Sequence, residues 1–222
     1  MTLAILGGTG KEGQGLALRW ARAGREVVLG SREAIKGREV ATRLNEELDN
    51  LPNHSPGSPR HPTIRGTDNR EAAAEADVVI SALPDSGHIE TLTGLEKELA
   101  GKLLIVATIA WPPGPTSKSS AAEDAREALG DSVRVVAAFQ TVSAGTLRKL
   151  DSEAEDVLIC GDDAQAREHA RQIVDETGLR GVIAGPLAQA RVAEAITGIL
   201  LKINRHYGVK STGIRVTGIE AS

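Results

Sequence analysis

Apolar and polar positions along the chain fall into blocks of two kinds. Short runs rich in Val, Ile and Leu occur at residues 2–6, 26–30, 77–81, 103–106, 134–139, 156–160 and 182–184, with a weaker one at 63–65. Their composition and length predict buried strands. Between them lie longer stretches whose apolar residues recur at helical spacing: 16–21, 35–48, 69–76, 89–99, 121–129, 164–177 and 188–206. Strands alternating with helices predict an α/β fold of Rossmann type, a doubly wound and mainly parallel sheet. In the last helix Ala190, Ala193, Ile196, Leu200 and Ile203 form one apolar stripe, which packs either on the sheet or on a second subunit. Residues 50–62 are rich in Pro, Asn, Ser and His and read as a surface loop, with His54 and His61 as solvated loop histidines.

The first strand runs into Gly7-Gly8-Thr9-Gly10-Lys11-Glu12-Gly13-Gln14-Gly15, and a helix follows. Gly8, Gly10 and Gly13 fit G-x-G-x-x-G in the place that this motif requires. Such a turn lets a pyrophosphate approach the backbone and sit at the positive end of a helix. A dinucleotide site follows; a purely structural glycine turn is the alternative. The second strand ends in Gly30-Ser31-Arg32-Glu33, with Lys36 a turn later. An NAD enzyme usually has an acidic residue there to hold the ribose 2′-OH. Ser31, the planar fork of Arg32 and the point charge of Lys36 suit a 2′-phosphate instead, with Thr9 in reach. The cofactor reads as NADP. Glu33 is the one contrary charge, read as pointing outward, and the competing view of Arg32 and Lys36 is solvated charge at a helix start.

Composition narrows the classes. The 222 residues suffice for one large α/β domain with a small appendage, divided near residue 150 into 1–150, the NADP-binding part, and 151–222, a smaller helical and α+β part. A net charge of −4 leaves no basic footprint for nucleic acid, and Trp20, Trp111, Phe139 and Tyr207 are too few to stack bases. No apolar run has the length of a membrane span, and the first strand at residue 2 leaves no room for a signal peptide. Cys160 is alone and reads as a buried, inert thiol, consistent with a cytoplasmic protein.

Catalytic chemistry is sparse. There is no metal constellation and no nucleophile elbow. Asp85, His88, Gln140 and Lys149 are the candidates near strand ends, but Asp85 and Ser86 also suit helix caps and Lys149 a solvated charge. No residue is assigned as acid or base. Hydride exchange between two cofactors needs only ring alignment and exclusion of water. The loop Trp111-Pro112-Pro113-Gly114-Pro115 is stiff and either walls a flat ligand or covers the core.

Taken together, the glycine turn with Leu16-Ala17, the Gly30-Ser31-Arg32 corner, Leu83-Pro84, Ala138-Phe139-Gln140-Thr141-Val142-Ser143-Ala144, Cys160-Gly161-Asp162-Asp163 and Ala184-Gly185-Pro186-Leu187 with Ala190-Arg191 resemble the NADPH-dependent coenzyme F420 reductases almost end to end. The resemblance implies hydride transfer between NADP(H) and the deazaflavin coenzyme F420, in the cytoplasm and in a homodimer. It implies NADP contacts at Gly8, Thr9, Gly10, Lys11, Glu12, Gly13, Ser31, Arg32 and Lys36. Leu83, Thr108, Ala110, Trp111 and Ala144 would lie along the nicotinamide half, and Gln140, Val142 and Thr212 against the deazaflavin. The chain departs from the family in having Gln140 where some members have His and Ser143 where some have Pro. Two other readings stand beside this one: an NADP-dependent reductase of a flavin, imine or other small substrate, and a non-catalytic NADP-sensing module.

Overall fold

The computed structural model describes residues 1–51, 63–114, 117–151 and 155–219. Most of the predicted loop at 50–62, with His54 and His61, and Pro115 of the proline loop lie outside them.

One eight-stranded sheet carries the fold, in the order β3-β2-β1-β4-β5-β6-β7-β8. The strands are β1 (Thr2–Leu6), β2 (Glu26–Ser31), β3 (Arg65–Asp68), β4 (Val78–Ser81), β5 (Leu103–Val106), β6 (Arg134–Ala137), β7 (Asp156–Gly161) and β8 (Arg180–Gly185). All neighbours pair in parallel except β6 and β7. The helices are α1 (Lys11–Arg22), α2 (Ala34–Asp49), α3 (Asn69–Glu75), α4 (His88–Thr93), α5 (Glu96–Leu99), α6 (Ala121–Leu129), α7 (Ala144–Arg148), α8 (Ala164–Asp175) and α9 (Ala190–Tyr207). The central strands are buried on both faces, so they read as continuous apolar runs and not as alternations. One apolar layer joins Leu3 and Ile5 to Leu16 and Trp20 of α1, Leu44 of α2 and Ile173 of α8. The other joins Ala4 and Leu6 to Ala72, Leu92, Ala125 and Ala190 on the opposite side. Burying a Leu or Ile side chain of this kind contributes about 1.5–3 kcal/mol.

Several expectations shift. The third strand lies at Arg65–Asp68, after the weak apolar run, because pairing with β2 and not composition fixes its place: Val28 faces Arg65 and Ser31 faces Asp68. The predicted helix over 89–99 is two short helices, interrupted at Gly94 and Leu95. The sixth strand stops at Ala137, since Phe139 takes φ 77° and turns its ring edge-on to Trp20, 5.9 Å between centroids. The five-residue α7 is not visible in the apolar pattern; Ser143 caps it by accepting from Thr146 N. α9 ends at Gly208, which takes the left-handed conformation.

Beyond α9 the tail runs back along the sheet. Asp156 N donates to Ile214 O, and the buried Asp156 carboxylate accepts from Val216 N and from Arg180. Arg180 also donates to Val216 O. Pairing with Arg180 and the Val216 N–H holds the Asp156 carboxyl below its usual range against the opposing effect of burial.

Candidate functional site

The strand order reverses between β1 and β4, and ligands of open α/β sheets bind where it does. A cavity of about 520 Å³ opens there. The ends of three neighbouring strands reach it: Gly7, Thr9 and Gly10 after β1, Ser31 at the end of β2 with Arg32 after it, and Ala82 and Leu83 after β4.

The turn after β1 is shaped by close backbone approach. Gly7 has φ 69°, and a Cβ there would lie 2.8 Å from the Ala82 carbonyl oxygen. A Cβ on Gly13 would lie 2.6 Å from the Gly8 Cα, so α1 packs directly on the turn. A Cβ on Gly10 would meet only the Gly7 oxygen, at 3.4 Å, an ordinary contact. Gly10 is also the N-cap of α1 and offers no side-chain acceptor, so the first-turn N–H groups have no side-chain cap. Uncapped amides at the positive end of a helix suit an anion.

Around this turn the predicted residues fall into two groups. Thr9, Gly10, Ser31, Arg32, Lys36 and Leu83 come together at the cavity, and Gly8 does not line it. Gly8 itself is held behind it, donating to Ile5 O and Gly30 O. Arg32 and Lys36 are exposed and form no ion pair among the described residues. Glu33 is exposed as expected, yet it also joins the lining. Lys11, Glu12 and Gly13 stand beside the cavity on the first turn of α1 and not in its lining. Burial pushes the Glu12 carboxyl up to about 8.

The second group sits at the ends of β5 and β6. Thr108 is buried and donates through Oγ1 to Leu83 O at 3.0 Å, joining this group to the first. Ala110 N donates to Glu194 Oε2 at 3.2 Å, and Trp111, 66% exposed, donates its N–H to Asp85 Oδ2 at 3.2 Å. Asp85 is thus not a helix cap as read from the sequence; its carboxylate is drawn to the Trp111 amide. Gln140 and Val142 are buried, with Gln140 Nε2 donating to Val106 O at 2.8 Å. Ala144 begins α7, and the neighbouring Ser143 Oγ lies 2.5 Å from Ser211 Oγ, beside Thr212. Arg19 fixes α7 from below: its buried guanidinium donates to the carbonyls of Thr146, Leu147 and Lys149 at the end of that helix, and to Thr177 O. Lys149 is exposed.

His88 is buried beside Ser81, Nδ1 to Oγ at 3.3 Å, and its Nε2 has no partner among the described residues. Burial depresses its pKa to about 4, so it is neutral at pH 7. Burial likewise pushes the Cys160 thiol up to about 11, which suits a thiol that stays protonated.

Pro84, Ser86 and Gly87 of the turn after β4, at a strand end where a ligand is expected, also line the cavity; Asn69 and Thr91 join them and were not foreseen. Asn69 is the most informative: its Oδ1 accepts from Gly7 N at 3.2 Å and props the glycine turn. It begins α3, where the sequence predicts a helix, but the contact lies 62 residues away in the chain. Glu194 was missed too; its only signal is a carboxylate beside an apolar stripe. Among the described residues no helix is long and apolar enough to cross a membrane.

Residues 2–109 match the family model described as NADP oxidoreductase coenzyme F420-dependent. An F420-dependent NADP reductase of Methanocaldococcus jannaschii is 36% identical over 235 aligned positions, which cover 99% of this chain and all of the relative. A second, from Methanothermobacter marburgensis, is also 36% identical and covers 99% of both chains. Among solved structures, a hypothetical protein from Sinorhizobium meliloti shares the fold with a TM-score of 0.67 at 20% identity, covering 86% of this chain and 87% of that one.

Proposed function

The chain belongs to the F420-dependent NADP reductases, and from that premise we propose that it passes a hydride between NADP(H) and the deazaflavin coenzyme F420 across the carboxyl ends of β1, β4, β5 and β6. The observation that carries the assignment of the first cofactor is the exposed cationic corner of Arg32 and Lys36 on a cavity that the glycine turn lines. Uncapped amides of α1 receive the pyrophosphate, and Ser31, Arg32 and Lys36 receive the 2′-phosphate. Bound together, the two cofactors supply the donor and acceptor carbons of the transfer.

The protein's own residues bind, orient and keep water away. Leu83 and the Thr108–Trp111 loop line the nicotinamide half. Ala144 lies along the same half, while Gln140 and Val142 face the deazaflavin, with Thr212 on the tail that Ser211 ties to α7. Residues 1–150 thus hold NADP and residues 151–222 complete the second site. No side chain acts as obligatory acid or base; the neutral, enclosed His88 supports that reading. Exposed Val192, Ile199 and Leu201 on α9, with Ile183 on the edge strand β8, support a homodimer, and light scattering at micromolar concentration tests it. The same reading places the protein in the cytoplasm.

The test is spectroscopic. Mixed with NADPH and catalytic protein, oxidised coenzyme F420 loses its visible absorbance. A mixture that keeps its absorbance, with a protein that still binds NADPH, refutes the assignment.

A further inference from the structure

Where α6 and α9 meet, one carboxylate holds two separate stretches of backbone. Glu194 of α9 is 2% exposed. Its Oε1 accepts from Ala121 N at 2.9 Å, and its Oε2 from Ala110 N at 3.2 Å. One turn further along α9, Gly198 admits the carbonyl of Pro113: a Cβ there would lie 2.8 Å from that oxygen. The loop after β5 is therefore fixed to α9 at two points a helical turn apart. Its opposite flank is fixed to the cavity wall, by Thr108 Oγ1 on Leu83 O and by the Trp111 N–H on Asp85. The loop bridges α9 and the site.

We propose that Glu194 is a positioning residue: its ionised carboxylate sets the Thr108–Trp111 loop against the Leu83 side of the site, and protonation of Glu194 loosens that loop and slows hydride transfer. The proposal rests on the reading of this loop as a wall of the nicotinamide half.

Two acceptor oxygens match two N–H donors. A carboxylic acid keeps one carbonyl oxygen and points an O–H at the other amide, donor against donor. The surroundings favour that exchange near neutrality. Burial raises the Glu194 pKa to about 7, against the two amide bonds that lower it, while Asp124 of α6 and Asp85 of the turn before α4 add to the rise. His88 of α4, also among these groups, stays neutral above about pH 4. Arg191, a turn before Glu194, is paired with Glu123, and among the described residues the Glu194 carboxylate has no ion-pair partner.

Trp111 is a built-in reporter, because the second tryptophan, Trp20, is fully buried against Phe139 on the other side of the sheet. The experiment is a pH titration of tryptophan fluorescence in substrate-free protein, alongside kcat and KM for NADPH over the same range. The wild type should show a transition with midpoint near 7 that is absent in Trp111→Phe and in Glu194→Gln. Above the transition Glu194→Gln should lower kcat about tenfold, leave KM for NADPH within about threefold, and lose the acid limb of the kcat profile. Glu194→Asp, which keeps the ionisable group, should retain a limb.

A wild type with no fluorescence transition, or a transition that persists in Glu194→Gln, overturns the proposal. So does a transition that kcat does not follow. Should Glu194→Gln fail to fold, the wild type compared with Trp111→Phe still decides whether the loop titrates. A wild type that transfers no hydride to coenzyme F420 defeats the functional reading instead, and the substrate-free titration still tests the latch.

Discussion

Replacing Gly13 with alanine asks whether the packing of α1 on the glycine turn shapes the phosphate site. The new Cβ would lie 2.6 Å from the Gly8 Cα, 2.9 Å from the Gly8 oxygen and 3.0 Å from the Gly8 carbonyl carbon. Carbon atoms rest at about 3.5–4.0 Å, so turn and helix must part by roughly 1 Å. All three obstacles are backbone, so no side chain can swing aside. Overpacking of this kind costs about 1–3 kcal/mol, and alanine returns up to about 1 kcal/mol through its better helix propensity. The net loss of roughly 0–3 kcal/mol is small enough for the protein to fold. The cofactor loses more. A displaced α1 takes its uncapped amides out of line with the pyrophosphate, and charge-assisted hydrogen bonds are worth about 1.5–3 kcal/mol each. The Kd for NADPH should rise roughly 10- to 100-fold. Titration of NADPH fluorescence measures Kd, and circular dichroism checks the fold. A natively folded Gly13→Ala protein that binds NADPH within about twofold of the wild type would refute the argument.

Three further outcomes are expected. Arg32→Ala should weaken NADPH by roughly one to two decades while NADH changes little, because only NADPH carries the phosphate that the guanidinium meets; equal losses in a paired KM comparison would dismiss the assignment. Ala144→Leu should lower kcat steeply and leave NADPH affinity nearly unchanged, since a larger side chain at the start of α7 pushes the rings apart; an unchanged kcat would remove Ala144 from the site. The pKa of His88 is depressed from 6.5 to about 4, so the unfolded chain takes up a proton before the folded one and stability falls as pH drops through that window. Urea unfolding at about pH 6.5 and 4.5 should show His88→Gln relieved of about 2–3 kcal/mol of that acid loss, and an unaltered pH dependence would contradict the burial argument.

The sequence was most legible where one force acted alone. β1, β4 and β5 are buried on both faces and read directly from their apolar runs, and the glycine turn carries its own signature. The edge was harder: β3 is Arg-Gly-Thr-Asp, with no apolar residue, and exists because β2 offers it a parallel partner. Gly66 is needed there because the Gly37 carbonyl lies against it, a constraint set by another element. Asn69 starts α3 as the sequence predicts, but its role depends on reaching back to Gly7, which no local pattern shows. α7 is too short for periodicity to reveal, and its position depends on a buried arginine far away in sequence. Glu194 has no motif of its own in the sequence; only the fold brings Ala110 and Ala121 to it.

The central claim is that hydride passes directly between two cofactors with no side chain handling a proton on the way. Transfer from stereospecifically deuterated NADPH tests it most directly. The label should appear on C5 of the deazaflavin without exchange with solvent, and His88→Ala should transfer it at a rate within a few-fold of the wild type. Label released into water, or a roughly thousandfold loss in His88→Ala, would mean that a protein group carries the proton and that the account is wrong.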